Sequence, residues 1–422
     1  MDIQQTLEQA VQLHKAGDLR KAEDLYQRIL EADPVHPIVL HLLGVTNFQE
    51  GKLDFAVQFI SKSLAIKPDY AEAHNNLANA LKAQGKLEEA AQSFQNALDF
   101  NPDIIEAYNN LGNTLKDLGR LDEAVDNYKK ALAANPDFAE AHNNLGNAFN
   151  DLGRLEEAAA SYRKALSLKP NIVEAHNNLG NVLKALGKLN ESVASFKDAL
   201  SIKPDYAEAH YNMGNALRKM GKLDEAVASF QNALARKPDY AEAHNNFGHA
   251  LQDLGQLDEA INCYKKALSF KPDFIGAEKN LLFAMLNVPG LSPEEIFKEN
   301  IKITQKHERS ITCFEKKFSN TPLPDRKLRI GYLSSDFRNH PVGTNVLPLI
   351  TSHNRENFEI FCYADVPRPD KITEHFQASA DHWRSIEGKS DNDVAEAMRA
   401  DKIDVLICLA GRFDNNRPLV CA

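Results

Sequence analysis

The sequence predicts a solenoid of antiparallel helix pairs followed by a smaller α/β region. Three rows of residues repeat at a constant spacing of 34: glycine from position 17 to 255, leucine from 19 to 257 and proline from 34 to 272. After residue 288 this spacing is lost, and short apolar runs alternate with helical segments instead. Self-similarity at this period is typical of repeat architectures, and strands that alternate with helices are typical of a parallel sheet.

Each 34-residue unit divides into two amphipathic helices. In the unit 71–102, one apolar stripe is centred on Leu77, and a second runs from Leu87 to Leu98 at helical spacing. Gly85 suits the left-handed end of the first helix, and Pro102 ends the second because it lacks an N–H donor. One hairpin cannot bury both stripes alone, so neighbouring units must stack. Small residues on the flank of the first helix allow close approach: Gly44, Ala78, Gly112, Gly146, Gly180, Gly214 and Gly248.

Asparagines form two further rows on the side of the first helix that faces away from its apolar stripe. The first row is Asn76, Asn110, Asn144, Asn178, Asn212, Asn246 and Asn280; the second is Asn79, Asn113, Asn147, Asn181 and Asn215. An amide both donates and accepts hydrogen bonds, so a ladder of amides could hold the backbone of an extended peptide. The first row is therefore a predicted peptide-binding site. In the alternative interpretation, these asparagines bond neighbouring helices and maintain the twist of the stack.

Composition and charge exclude several classes of function. A net charge of −10 and a pI of about 5.8 disfavour binding to nucleic acid. No apolar stretch is long enough for a membrane helix or a secretory leader. Five scattered cysteines without a CxxC pair argue against a disulfide framework or a cysteine-built zinc site. These observations predict a cytoplasmic protein, or a nuclear one in a eukaryote.

We predict no metal site in the repeats. Five histidines share the 34-residue period and so lie about one repeat apart, too far to share one ion: His74, His142, His176, His210 and His244.

For the second part of the chain, the sequence predicts a helical linker over 289–325 and an α/β region over 326–422. Ser292 and Pro293 are a helix start, and that helix extends to about Ser310. The predicted strands are 328–334, 358–364, 382–386 and 403–410, and the predicted helices lie near 344–353, 370–380 and 391–401. In a parallel sheet of this kind, ligands bind at the carboxyl ends of the strands.

The loop after the first predicted strand is the candidate for chemistry in this region. It reads SSDFRNHPVG from Ser334 to Gly343 and is neither a dinucleotide fingerprint nor a Walker loop. Its hydroxyl, carboxylate, amide and imidazole groups can all bond a sugar or a phosphate. Gly343 lies just before a predicted helix, whose N-terminus could face an anion. On the residues alone, this is a binding loop whose ligand is open.

Two resemblances extend this interpretation. The repeat rows resemble the tetratricopeptide repeat, with about eight repeats and one extra helix over 1–288. The segments LRIGYLSSDFRNHPVG, NFEIFCYADV and IDVLICLAG resemble the start of the catalytic region of protein O-linked N-acetylglucosamine transferases and SPINDLY proteins, glycosyltransferase family 41. The resemblance implies a right-handed superhelix followed by part of a Rossmann-like lobe of a B-type glycosyltransferase. It also implies that His340, in the His-Pro of the loop, is catalytic.

The same resemblance implies an activity and its partners. Family members transfer a sugar from UDP-N-acetylglucosamine or GDP-fucose to Ser or Thr of polypeptides, without a metal ion or other cofactor. The repeats guide the polypeptide acceptor to the catalytic cleft, and N-acetylglucosamine is the sugar that we expect here.

Two departures from the family pattern set the limits of this prediction. Arg412 replaces a histidine or tyrosine that usually follows the glycine after the last strand. The 422 residues also contain only part of the first catalytic lobe, so we expect this stretch alone to be inactive. The alternative function is a non-catalytic tetratricopeptide scaffold for protein–protein interaction.

Overall fold

The structure is a computed structural model that describes residues 2–310, 320 and 326–409, with the backbone alone for 304–310. The chain divides into two compact units between Asp239 and Tyr240.

The first unit is an α-solenoid of seven helix hairpins. Its helices alternate between 13 and 14 residues, and each hairpin follows the 34-residue period of the sequence. The helices are α1 Ile3–Lys15, α2 Leu19–Ala32, α3 Pro37–Gln49, α4 Leu53–Ile66, α5 Ala71–Ala83, α6 Leu87–Phe100, α7 Ile105–Asp117, α8 Leu121–Ala134, α9 Ala139–Asp151, α10 Leu155–Leu168, α11 Val173–Ala185, α12 Leu189–Ile202, α13 Ala207–Lys219 and α14 Leu223–Arg236.

The glycine and proline rows set the turns of these hairpins, as predicted. Gly85 has φ +79°, a left-handed conformation that favours glycine. Its N–H donates to the Lys82 carbonyl at 2.9 Å, and the next N–H donates to the Leu81 carbonyl at 3.0 Å, which together cap the end of α5. At the end of α6, Asn101 is extended (φ −144°, ψ 95°) because it precedes a proline.

An aromatic row forms the centre of the core and packs on the glycine row. Phe196 on α12 is fully buried, and a Cβ added to Gly180 on α11 would lie 2.6 Å from its ring. The missing side chain at position 180 therefore lets the two helices of the hairpin approach, as the sequence predicts. The other aromatic members of this row in the first unit are buried in the same way: Tyr26, Phe94, Tyr128, Tyr162 and Phe230.

The second unit begins with helices of the repeat type. These are α15 Ala241–Asp253, α16 Leu257–Phe270 and α17 Ile275–Leu286, followed by α18 Pro293–Ser310. The predicted start of α18 is confirmed: the Ser292 N–H and hydroxyl both donate to Glu295 Oε2, at 2.9 and 2.8 Å. In the described ranges, no helix is both long and apolar enough to cross a membrane.

The α/β region is a four-stranded parallel sheet, as predicted. The strands are β1 Leu328–Ser334, β2 Phe358–Ala364, β3 His382–Ser385 and β4 Val405–Cys408, in the order β3-β2-β1-β4. Leu328 pairs with Phe358, Ile330 with Val405, and Phe361 with His382. The helices between the strands are α19 Pro341–Thr351, α20 Lys371–Ser379 and α21 Asp391–Ala400.

Alternate residues of the strands supply two cores on opposite faces of the sheet. Ile360 and Cys362 pack with Ile350 of α19 and Phe376 of α20, whereas Phe361 and Tyr363 pack with Val394 of α21. The strand order reverses between β1 and β4, and α21 lies on the face opposite α19 and α20. Such a reversal point is where open α/β sheets bind ligands, at the carboxyl ends of the strands.

Candidate functional site

The loop from Ser334 to Gly343 lies at this reversal point, because it leaves the carboxyl end of β1. Its first half is buried and its second half reaches solvent. Phe337 anchors the buried half: the side chain is fully buried, with ring centroids 4.9 Å from Phe376 and 5.6 Å from Trp383. The loop is therefore held by the core, while Arg338 and Asn339 are exposed at the edge of the sheet.

The loop brings His340 and Arg338 to the carboxylate of Asp336. The Asp336 carboxylate is 1% exposed, and its Oδ1 has no hydrogen-bond partner among the described residues. Its Oδ2 lies 3.6 Å from His340 Nδ1, and Arg338 Nη2 lies 3.7 Å from Oδ1. A buried carboxylate oxygen without a hydrogen bond is costly, and a ligand that donates a hydrogen bond here would remove that cost.

His340 occupies the N-cap position of α19 and is one-third exposed. Its Nδ1 accepts a hydrogen bond from the Val342 N–H at 3.3 Å, which places the neutral imidazole proton on Nε2. When Nδ1 instead carries the proton, it faces the Asp336 carboxylate, and Nε2 becomes an acceptor. The residue can thus present either a donor or an acceptor from Nε2.

Gly343 is required for the close packing of α19 against this loop. A Cβ at this position would lie 2.4 Å from the carbonyl oxygens of both Asp336 and Arg338, which are backbone atoms and cannot rotate away. The first turn of the helix is therefore held directly beside the loop, where the Val342 and Thr344 N–H groups donate to Nδ1 and to the carbonyl oxygen of His340.

Replacing Gly343 with alanine is expected to displace the loop and to lower the free energy of unfolding by about 1–3 kcal/mol through steric strain. Urea denaturation followed by the fluorescence of Trp383, the one tryptophan of the chain, measures this change. Thr344→Ala is the control, because Thr344 is exposed one position further along the same helix. Equal stabilities of the two variants would show that the packing at Gly343 is not tight.

A second contact of the loop was not foreseen from the sequence. The Asn339 N–H donates to Asp370 Oδ2 at 2.7 Å, and the same carboxylate caps α20 through the N–H groups of Ile372 and Thr373. These hydrogen bonds, that from Asn339 first, lower the pKa of Asp370 below its ordinary value. The Asp-x-x-Thr spacing signals the helix cap, but no local signal identifies Asn339 as its partner.

In the repeats, asparagines of the first predicted row bond to the neighbouring repeat. Nδ2 of Asn144 donates to Asn109 Oδ1 at 3.0 Å, and Nδ2 of Asn212 donates to Asn177 Oδ1 at 3.1 Å. Asn76, Asn178 and Asn280 make related contacts with His41, Asn147 and Asn245. These amides are buried or half-buried rather than fully turned to solvent, and they adopt the inter-helix bonding of the alternative interpretation.

The second row is tied to the aromatic core where that core carries tyrosine. The hydroxyl of Tyr128 donates to Asn113 Oδ1, and that of Tyr162 donates to Asn147 Oδ1, both at 2.7 Å. Where phenylalanine replaces tyrosine this contact is absent, and Asn181 Oδ1 instead accepts from Lys184 Nζ at 3.1 Å.

Both rows border an open polar cavity of about 250 Å³ in the first unit. Its lining comes mainly from the first helices of three successive repeats: Lys116, Asn147, Asn150, Asp151, Tyr162, Asn178 and Asn181. The cavity offers amide, ammonium, carboxylate and hydroxyl groups and little apolar surface. Such a lining suits a peptide backbone more than an apolar ligand.

The periodic histidines fasten loops to helices. Nε2 of His74, His142, His176 and His210 bonds the proline carbonyl oxygen six residues earlier at 2.9–3.1 Å. Among the residues that the structure describes, no three His, Cys, Asp or Glu side chains are grouped to hold a metal ion. Arg412, the departure noted in the sequence, lies outside the described residues.

Comparisons with known proteins match both parts of the chain. Tetratricopeptide-repeat models match residues 7–71, 78–119, 109–172, 180–221, 214–255 and 241–274, and the model of Glycosyl transferase family 41 matches residues 298–421. The second match includes the whole of the β1–α19 loop.

Curated relatives match about a quarter of the chain or less, and a solved structure matches about half of it. The probable UDP-N-acetylglucosamine–peptide N-acetylglucosaminyltransferase SEC of Arabidopsis thaliana is 39% identical over 87 residues, which are 20% of this chain and 9% of that protein. The SPINDLY protein of Hordeum vulgare, with the same probable activity in its name, is 34% identical over 104 residues, which are 24% of this chain and 11% of that protein. A mutant of the O-GlcNAc transferase of Thermobaculum terrenum is 29% identical with a TM-score of 0.43, covering 56% of this chain and 45% of that one.

The matched stretch thus spans about a tenth of the length of these curated relatives. The repeat matches together extend over more than half of the chain, and the family 41 match follows them. The chain belongs to the tetratricopeptide-repeat proteins and carries a segment of the glycosyltransferase family 41 region.

Proposed function

We propose that the natural protein containing these 422 residues is an intracellular protein O-glycosyltransferase. It transfers N-acetylglucosamine from UDP-N-acetylglucosamine to Ser or Thr of polypeptides, and its repeats bind the acceptor. The observation that carries the proposal is the place of the family 41 match: it includes the loop in which Asp336 is buried at the ligand-binding edge of the sheet, with one carboxylate oxygen that has no hydrogen bond among the described residues. The same chain carries a polar cavity between repeats that suits an extended acceptor.

His340 is the residue to which we assign a direct role in the transfer. The acceptor hydroxyl oxygen bonds to the anomeric carbon, the bond from that carbon to the phosphate oxygen breaks, and UDP leaves with the electron pair. The hydroxyl proton needs an acceptor, and an imidazole with Nδ1–H directed at a carboxylate supplies one at Nε2. Asp336 Oδ2, 3.6 Å from Nδ1, is placed to stabilise the imidazolium that forms.

The repeat array is assigned to acceptor binding through its amides. Each row asparagine that donates one N–H to a neighbouring repeat retains a second N–H and carbonyl lone pairs for a ligand. The bonds between repeats hold the amides in fixed orientations, so little side-chain entropy remains to be lost when a peptide binds. The inter-helix role and the peptide-binding role are in this way compatible.

The transfer itself is tested with radiolabelled UDP-N-acetylglucosamine, the natural protein and an unfolded acceptor polypeptide. We expect label on Ser or Thr of the acceptor. Absence of label under conditions where the acceptor still binds would reject the enzyme and leave the tetratricopeptide scaffold.

A triple variant tests the peptide-binding role of the amides. Replacing Asn144, Asn178 and Asn212 with alanine is expected to weaken the binding of an extended peptide about tenfold, because backbone hydrogen bonds of about 0.5–1.5 kcal/mol each are lost. Fluorescence anisotropy of a labelled peptide measures this change, and circular dichroism checks that the helices persist. The matched control replaces Asn96, Asn190 and Asn232, which lie on second helices. Unchanged peptide affinity in the row variant would remove the row from the site.

A further inference from the structure

In the first unit, the helices α5, α7, α9, α11 and α13 each carry a charged residue within their last two positions. Lys116 on α7 and Asp151 on α9 line the cavity together with the row asparagines. The two residues are 35 positions apart, which is one repeat plus one residue. The same spacing sets a residue at the end of one first helix opposite a residue at the end of the next. At the equivalent position between α5 and α7, Lys82 Nζ lies 3.1 Å from Asp117 Oδ2. Cation and carboxylate thus neutralise each other in this part of the face.

Between α11 and α13 the aspartate of this pattern is replaced by a second lysine. Lys184 corresponds to Lys82 and Lys116, but the residue opposite it is Lys219 rather than an aspartate. Lys184 is half-buried, and its Nζ donates to Asn181 Oδ1 at 3.1 Å. Within the described residues, neither Lys184 nor Lys219 makes an ion pair. By the repeat spacing, a second lysine thus occupies the position opposite Lys184 where α7 carries an aspartate opposite Lys82.

The physical consequence is an unfavourable charge arrangement in the absence of a ligand. Burial and the neighbouring Lys219 charge both lower the pKa of Lys184 below its ordinary value, burial having the larger effect. An anionic group seated between the two ammonium groups would relieve their repulsion and replace the missing carboxylate. A partly buried charge also interacts more strongly than one in bulk water.

We propose that this section, formed by Lys184, Lys219 and Asn181, binds an acidic side chain of an extended polypeptide. The proposal rests on the proposed function, in which the same face of the repeats binds the acceptor, and it adds a sequence preference. The partner is a polypeptide with Asp or Glu at the point that reaches α11 and α13. The amides hold its backbone whatever its sequence, whereas the two lysines select the charge.

Two matched peptides of about 15 residues test the preference for acidic side chains, since extended peptides bind in grooves of this kind. One contains two central glutamates in a Ser, Ala and Gly background, and the other has glutamine at both positions. We expect the first to bind the 422-residue chain about tenfold more tightly at about 50 mM salt, with much of the difference lost at about 300 mM through screening. Fluorescence anisotropy provides both affinities.

Lys219→Asp recreates the arrangement of Lys82 and Asp117, and it should reduce the preference for glutamate to about threefold or less. The control is Lys197→Asp, which makes the same charge change at an exposed position on the second helix α12 and should leave the preference within about twofold. Equal effects of the two variants, or equal affinities of both peptides for the unmodified chain, would overturn the proposal. If the glutamine peptide binds well and no preference appears, only this inference fails. If neither peptide binds, the proposed binding face fails with it.

Discussion

Replacing Phe196 with alanine is expected to lower the free energy of unfolding by about 3–5 kcal/mol. The ring is fully buried in the aromatic row, and it fills the space that Gly180 leaves open between α11 and α12. Alanine would leave a cavity that neighbouring side chains cannot fill without moving two helices. Because a solenoid is stabilised largely by contacts between neighbours, the loss would weaken the array on both sides of the hairpin.

Urea denaturation followed by circular dichroism measures this change. The control is Phe100→Ala: Phe100 ends α6, is 52% exposed and stacks on His74, so the expected loss is below about 1 kcal/mol. Similar losses in the two variants would mean that the aromatic row is not the centre of the core.

Replacing His340 with asparagine is expected to lower the rate of sugar transfer by about 10²- to 10⁴-fold, the usual contribution of a general base. Asparagine is chosen because it is a good N-cap residue and can keep the start of α19 folded. The transfer rate is measured at a saturating concentration of acceptor, with the substitution made in the natural protein. Circular dichroism of the same samples shows whether the variant is folded, so a lower rate that comes from unfolding can be recognised.

The control for this variant is His375→Ala. His375 is an exposed histidine on α20, within the same α/β region. We expect it to retain the unmodified rate. A transfer rate within about twofold of the unmodified protein for His340→Asn would exclude a role in general base catalysis.

The periodic rows predicted the helices well because their information is local. Gly85 and Pro102 mark the ends of two helices through their own backbone preferences, and the apolar run 358–364 is a buried strand at its predicted bounds. The partners of the asparagines could not be predicted in this way. A helical wheel gives the direction of Asn212 relative to its own helix, but not that Asn177 of the preceding repeat receives its hydrogen bond.

The position of the candidate loop after β1 could be predicted from the sequence, but the geometry within the loop could not. The sequence shows that Asp336 and His340 are four residues apart, but not that the aspartate is buried with one oxygen that has no hydrogen bond among the described residues. That burial depends on Phe337, whose ring packs on Phe376 and Trp383 from distant parts of the chain. Long-range packing of this kind leaves no pattern in a single sequence.

We propose that the repeats bind a polypeptide acceptor for a sugar-transfer site in the same protein. The most direct test measures transfer from UDP-N-acetylglucosamine to an unfolded acceptor as the acceptor concentration is varied, in the natural protein and in the Asn144, Asn178 and Asn212 triple variant. We expect transfer by both, with KM for the acceptor raised about tenfold in the triple variant and kcat unchanged, because the lost interactions bind ground state and transition state alike. Equal KM values, or transfer by neither protein, would contradict it.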